Sequence, residues 1–398
     1  MSNLMKLATY FARYPNVRFA TPNDNERILT FYRKLSMQGG AFNILFVKDP
    51  DYFRYLRFES ANHAVGLVED DDGNTEGMFT FAVRPCYVDG RRESTVHVSD
   101  LRFARRRDRK TKFDWKMVAR DLCADSHTIT EFAGARYLLG SFVMANQRAR
   151  EAIASQKTPF DISPIANYKM VNLLARKPFG RGRGSAKATG DLRVVVARGT
   201  DADREPLRAF LDRQHRRRAL GYVFEGPDDE LTRRLASWPA FTMGSFFIAR
   251  DSAGAILGCF APWDLSAGRR IVVDRFPAVL AAAAKVLRPL IKKIPRPGED
   301  LRILYLTTQE IDLDLAPPRR DAVFRALLDA LDESGLAKDF HMVALCDYDH
   351  DSLLHLVGPR YFTMKTDTML YQLCERGNAN VVRESDLACH AGHEMCLT

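Results

Sequence analysis

The chain has 398 residues, which suggests two or three domains at about 150 residues each. A hydrophobic fraction of 46% and a charged fraction of 27% exclude global disorder. The longest apolar stretch, around residues 278–287, is interrupted or bounded by Lys285, Arg288 and Pro289, which excludes a membrane-spanning helix. The balance of 59 Lys+Arg against 50 Asp+Glu gives +9. That favours anionic partners, whether phosphates, acidic carriers, nucleic acid or a membrane surface, without choosing among them. Residues 1–11 lack a long apolar core and a small-residue cleavage site, so no secretory signal is expected. The seven cysteines are scattered and form no Cys-x-x-Cys. Reduced thiols and a cytoplasmic location are expected.

In chain order, residues 16–20 read as a short strand. A helix follows with Asn23 or Asp24 as cap and Ile28, Phe31, Tyr32 and Leu35 on one face. Residues 50–60 read as a second helix. Strands at 63–69 and 77–88 flank an Asp-Asp-Gly-Asn turn. A strand at 95–103, a basic loop, a helix at 113–124, a buried strand at 136–144, a helix from Asn146 and a strand at 168–175 complete the first half. Residues 176–190 hold five basic residues, no acidic one and several glycines, the composition of a flexible linker. The second half repeats the order. Strand 192–197 precedes helices at 201–219 and 228–238. Strands at 245–251 and 255–264 follow. After an inserted helix at 276–294 come strand 301–311, helix 318–334, strand 341–346, helix 349–357 and strand 364–373.

An order of β-α-α-β-β-β-α-β-α-β, seen twice, resembles the GNAT (GCN5-related N-acyltransferase) fold. The resemblance implies an α/β (α+β) protein of two GNAT-like domains, each a mixed, mostly antiparallel sheet flanked by helices. The divisions expected are 1–177 and 191–376, with a linker at 178–190 and a tail at 377–398. The family sets its acyl-CoA on the loop between the central strand and the next helix, where backbone N–H groups receive the pyrophosphate. Laid on the family's Arg/Gln-x-x-Gly-x-Gly/Ala motif, P-P-R-R-D-A-V-F puts Arg319 at the Arg/Gln position. Ala322 and Phe324 then stand where the motif has glycines. In the first half Lys110, Phe113 and Trp115 take those positions. The resemblance implies donor contacts from Arg319, Arg320, Asp321 and Ala322. In the first half it implies contacts from Arg107, Lys110 and Asn146, the last near the pantetheine arm. In the second half Asp347 takes the place of that Asn, and the nearby Tyr348 is the candidate general acid.

Acyl transfer to an amine needs a base, a polarised carbonyl and a proton for the leaving thiolate. Glu310 and Asp312, at one-face spacing near a strand end, are the candidate bases. His97, Ser99 and Asp100 are the matching polar groups in the first half; a satisfied sheet histidine is the competing reading of His97. Residues 105–112 carry six basic residues and one acidic, either an anion grip or a solvated loop. Residues 214–218, Q-H-R-R-R, complement a helix C-terminus. The insert at 276–294 is read as packing over the sheet, with a membrane or carrier surface as the alternative. Cys389, His390, His393 and Cys396 have zinc-ligand chemistry at compressed spacing, and a mobile tail is the competing reading. No metal is expected.

The function these features imply is transfer of an acyl group from acetyl-CoA or another acyl-CoA to a small-molecule or protein amine. Two alternatives stay open. One is a transferase of the same fold using aminoacyl-tRNA or an acidic acyl carrier protein, which fits the missing glycines. The other is a non-catalytic scaffold binding nucleic acid or protein. A homodimer is compatible with all three.

Overall fold

A computed structural model describes residues 4–34, 37–39, 42–104, 108, 110–147, 151, 158–178, 193–227, 229–275, 295–378, 381–382, 391–394 and 396. The expected linker beyond Pro178, the inserted helix at 276–294 and most of the helix from Asn146 lie outside the described residues.

The first half supplies α1 (Leu7–Phe11), β1 (Val17–Phe19), α2 (Asn25–Arg33), β2 (Met37–Gly39), β3 (Phe42–Val47) and α3 (Tyr52–Glu59). It continues with β4 (Asn62–Glu69), β5 (Thr75–Val88), β6 (Arg91–Phe103), α4 (Trp115–Asp125), β7 (Tyr137–Val143) and β8 (Asp161–Arg176). The second half supplies β9 (Val195–Arg198), α5 (Arg204–His215), β10 (Gly221–Tyr222), α6 (Glu230–Ser237), β11 (Phe247–Arg250) and β12 (Ile256–Asp264). Then come β13 (Arg270–Arg275), β14 (Ile303–Ile311), α7 (Pro317–Ser334), β15 (Met342–Tyr348), α8 (Leu354–Val357) and β16 (Tyr361–Cys374).

Local chemistry sets many of these boundaries. Asp51 caps α3 by accepting from the Phe53 N–H at 2.9 Å, and Asp114 caps α4 through Lys116 N–H at 3.0 Å. Between β4 and β5 the turn closes on Gly73 at φ +79°, with Asp70 accepting from Asn74 N–H at 2.7 Å. Helix α7 starts on Pro317 and ends on Gly335 at φ +72°, the residue preferences of the two helix ends.

Among the described residues, thirteen strands form one mixed, mostly antiparallel sheet in the order β1-β4-β5-β6-β7-β16-β8-β15-β14-β12-β11-β9, with β10 on β5. Each half contributes one parallel pair, β6 with β7 and β14 with β15, joined through α4 and α7 respectively. The last strand of each half sits beside the other half's pair: β16 pairs with β7, and β8 with β15. Strands β8 and β16 pair with each other from Tyr361↔Arg176 to Cys374↔Asp161. β8 is longer than its 168–175 alternation predicts because Pro164 masks its start. Pro164 faces Tyr371 at a register shift, the setting in which a strand tolerates proline. A second sheet, β13-β3-β2, joins an excursion from each half and was not legible from the sequence.

One core joins the halves: Ile28, Tyr52, Leu56 and Leu67 pack with Leu207, Phe224, Trp263 and Tyr305. A second lies under α7, where Phe324 and Leu328 meet Leu304, Leu345 and Val171. A third lies under α4 and α1. Among the described residues, no helix is long and apolar enough to cross a membrane.

Candidate active site at the opening between β14 and β15

Strands β14 and β15 pair only from Ile303↔Met342 to Tyr305↔Ala344. Beyond that β14 stays with β12, and β15 stays with β8 through Tyr348↔Tyr168. The two strands part, and the gap is a pocket of about 770 Å³ including its mouth. Thr308 sits on β14 at this point with φ +50°, beside a register shift in the β12 pairing. A left-handed β-branched residue is a genuine outlier, costing about 1–3 kcal/mol, and such strain gathers at functional sites.

The first half repeats the device. β6 and β7 pair from Thr95↔Tyr137 to His97↔Leu139, and Asp100, three residues on, has φ +47°. Thr308 likewise lies three residues past Tyr305. Side chains fill the first opening. Asp100 accepts from the Tyr52 hydroxyl at 2.7 Å, the Lys48 ammonium at 2.5 Å and Arg102 Nε at 3.2 Å. Lys48 is buried, and burial pushes its pKa down against the pull of Asp100. His97 Nδ1 lies 2.8 Å from Glu59 Oε1, and Ser99 bonds Thr80 at 2.5 Å.

Glu310, Arg320 and Tyr348 line the second opening. Glu310 is buried, its Oε2 accepting from Arg218 at 2.5 and 3.1 Å and its Oε1 lying 3.1 Å from His215 Nε2. His215 Nδ1 accepts the Tyr222 N–H at 2.9 Å, so the neutral ring carries its proton on Nε2, which is near Glu310 but makes no hydrogen bond. The Tyr348 hydroxyl donates to His393 O at 2.6 Å, and burial holds its pKa well above the ordinary tyrosine value. Arg320 pairs with Asp351. Asp312 is not among the pocket-lining residues. It follows the end of β14 and accepts from Gln214 Nε2 at 3.1 Å.

Among the described residues, neither helix after a central strand presents the expected phosphate cradle. Pro317 and Pro318 open α7 without N–H groups, and Arg319 N–H and Arg320 N–H both donate to Ala316 O. Arg319 is exposed. Asp321 accepts from His355 Nε2 at 2.9 Å and pairs with Arg325, and Ala322 is half-buried. Phe324 points into the core under α7 rather than toward the donor loop. Ahead of α4, Glu76 accepts from the N–H groups of Lys110 and Thr111. Lys110 Nζ is 2.5 Å from Asp72. Asn146 N–H donates to Val143 O at 2.8 Å in the turn after β7. Arg107 lies outside the described residues.

Sequence reasoning missed His215, Arg218, Arg234, Thr308 and Glu394. Q-H-R-R-R read as a cationic helix end, although His215 and Arg218 turn inward to a carboxylate about ninety residues away in sequence. Glu394 stood between two presumed zinc-ligand types. Cys389 and His390 lie outside the described residues, and among those described no metal-binding group of three gathers.

His393 is buried, and burial first, then His97 and Arg84, holds its pKa well below 6.5. The unfolded chain therefore binds a proton below pH 6.5 that the folded chain refuses. Stability is expected to be full above pH 6.5 and to fall on acidification, by up to about 1.4 kcal/mol per pH unit from this group. Melting curves from pH 7.5 to 5 check this, and His393→Gln should flatten the dependence.

No protein-family profile and no curated protein sequence matches the chain. Solved structures do. Saccharomyces cerevisiae N-myristoyltransferase with bound myristoyl-CoA and inhibitors superposes with TM-score 0.56 at 12% identity, covering 96% of this chain and 87% of that one. A GCN5-related N-acetyltransferase from Sphaerobacter thermophilus gives 0.52 at 11% identity, covering 92% and 98%. A GCN5-related glucosamine N-acetyltransferase region of a fungal multi-domain β-N-acetylglucosaminidase gives 0.54 at 10%, covering 90% of this chain and 38% of that one.

Proposed function

Starting from a chain with the fold of the GNAT superfamily, we propose that it transfers an acyl group from acyl-CoA to an amine at the opening between β14 and β15. The observation that carries the reading is the parting of these two strands at Thr308, with Glu310 and Tyr348 lining the gap. The thioester lies between the strands with its carbonyl oxygen on the Thr308 N–H. A fixed amide donor aimed at a developing oxyanion supplies electrostatic stabilisation without reorganisation. Glu310, paired with Arg218, accepts the proton of the incoming ammonium. The amine nitrogen then attacks the carbonyl carbon, the C–S bond breaks as the Tyr348 hydroxyl gives its proton to the leaving thiolate, and the second proton of the nitrogen passes to the tyrosinate to leave the neutral amide. The N-terminal half supports the sheet and forms the acceptor side. A thiol-release assay with acyl-CoA donors and a panel of amines tests the reading. Amine-dependent release of free CoA is expected, and Glu310→Gln should lower it by roughly 10²- to 10⁴-fold.

The prolines that open α7 favour a second reading, in which the donor is an acyl carrier or aminoacyl-tRNA and no diphosphate is cradled. With CoA as donor, the diphosphate meets the exposed Arg319 guanidinium rather than backbone amides. Arg319→Ala is then expected to raise KM for acyl-CoA by about two- to fivefold at low salt, and less at high salt. The acyl-pantetheine thioester, which has no diphosphate, should be indifferent to the change. A donor preference for carrier protein or tRNA over CoA by orders of magnitude would select the second reading.

A further inference from the structure

After β16 the chain returns to the middle of the sheet, where Ala391, Gly392, His393 and Cys396 are buried. Hydrogen bonds hold the backbone of this segment. Gly392 N–H donates to Ala219 O at 3.0 Å, the Tyr348 hydroxyl to His393 O at 2.6 Å and the Tyr55 hydroxyl to Cys396 O at 3.2 Å. The approach is close: a Cβ on Gly392 would stand 2.5 Å from Gly221 Cα. The Glu394 carboxylate accepts from the Thr308 N–H at 2.9 Å, and both its oxygens lie 2.9 Å from Arg234 Nη1.

Two adjacent tail residues thus occupy the two donors that acyl transfer at this site requires. Glu394 takes the amide meant for the carbonyl oxygen, and His393 takes the hydroxyl meant for the sulfur. The electrostatics show what holds the segment there. Arg234 is fully buried, with Nε on Glu230 at 2.7 Å, Nη1 shared between Thr308 Oγ1 and Glu394, and Nη2 buried without a partner. Glu230 also serves Arg233 at 2.7 Å. Two guanidinium groups therefore face one carboxylate, and Glu394 brings the second negative charge. A buried cation left without its anion is strongly destabilised. Withdrawal of Glu394 would leave Arg234 and the Thr308 N–H facing whatever negative charge arrives next, and in acyl transfer that charge is the oxyanion.

We propose that residues 391–394 and Cys396 are an internal inhibitor. This latch closes the transfer site by setting the Glu394 carboxylate on the Thr308 amide and the His393 carbonyl on the Tyr348 hydroxyl, and catalysis requires its displacement. The inference rests on the reading of the β14–β15 opening as the transfer site.

Full-length Glu394→Gln tests it, because a neutral amide leaves Arg234 uncompensated and loosens the latch. Two quantities are compared with the unaltered chain. One is hydrogen exchange at residues 391–396 and at Thr308. The other is affinity for a 2-oxoalkyl-CoA thioether, whose ketone mimics the thioester. Exchange at least tenfold faster in the tail, together with thioether binding at least fivefold tighter, supports the latch. Unchanged tail exchange, or faster exchange with unaltered thioether affinity, overturns it and leaves the transfer site standing. Thioether binding to neither protein overturns the transfer site, and the inhibitor role falls with it. A second variant guards against misfolding: a protease-cleavable insertion after Ser385 lets the intact chain fold before the tail is cut. The thioether should then expel the cut tail. A cut tail that stays bound at saturating thioether overturns the latch.

Discussion

Replacing Arg218 by methionine is expected to destabilise the fold by about 3–5 kcal/mol, because it leaves the Glu310 carboxylate buried without its counter-charge. Both side chains are at least 95% buried, and both donor bonds from the guanidinium end on the same carboxylate oxygen. At about 1.2 °C per kcal/mol for a chain of this length unfolding as one unit, the melting temperature should drop by roughly 4–6 °C. His215 Nε2 remains 3.1 Å from the other oxygen and offsets only part of the loss. The double variant Arg218→Met, Glu310→Leu is expected to regain most of the stability, since apolar residues of similar volume can replace a buried pair at little cost. Thermal melts of the single and double variants check both statements. The double variant should release CoA no faster than Glu310→Gln, because the proposed base is absent from both.

Tyr348→Phe is expected to lower kcat by roughly 10²- to 10⁴-fold with KM little changed. The hydroxyl is buried in the opening, and burial keeps it protonated throughout the neutral range. It therefore still carries its proton when the thiolate departs. Loss of its bond to His393 O should cost only about 1 kcal/mol of stability, so a large kinetic effect without a large thermal one separates chemistry from folding. A thioester with an aryl thiol of low pKa needs no proton on departure. With such a donor the variant should recover most of its rate, which a positional defect would not allow.

The order of elements was legible because caps, turns and alternation are local. The Asp-Asp-Gly-Asn turn read in the sequence is the turn that closes on Gly73 in the fold. The pairing of β8 with β16 leaves no local trace, since Asp161 and Cys374 meet across more than two hundred residues. Candidate residues fared by the same rule. Glu310 was named from its place near a strand end and Tyr348 from the family resemblance, and both line the opening. Thr308 was missed because its left-handed backbone arises from the shifted pairing with β12. Arg218 was missed because three successive arginines look alike in sequence, and only the fold turns one of them inward. Glu394 was missed because a tail without periodicity carries no sign of where it docks.

The most direct test of the central claim is a crystal structure of the chain with a 2-oxoalkyl-CoA thioether. The account predicts the ketone oxygen within hydrogen-bond distance of the Thr308 N–H, between β14 and β15, with Glu394 displaced from that amide. A ketone lodged between β6 and β7 beside Asp100, or absent from both openings, would contradict it.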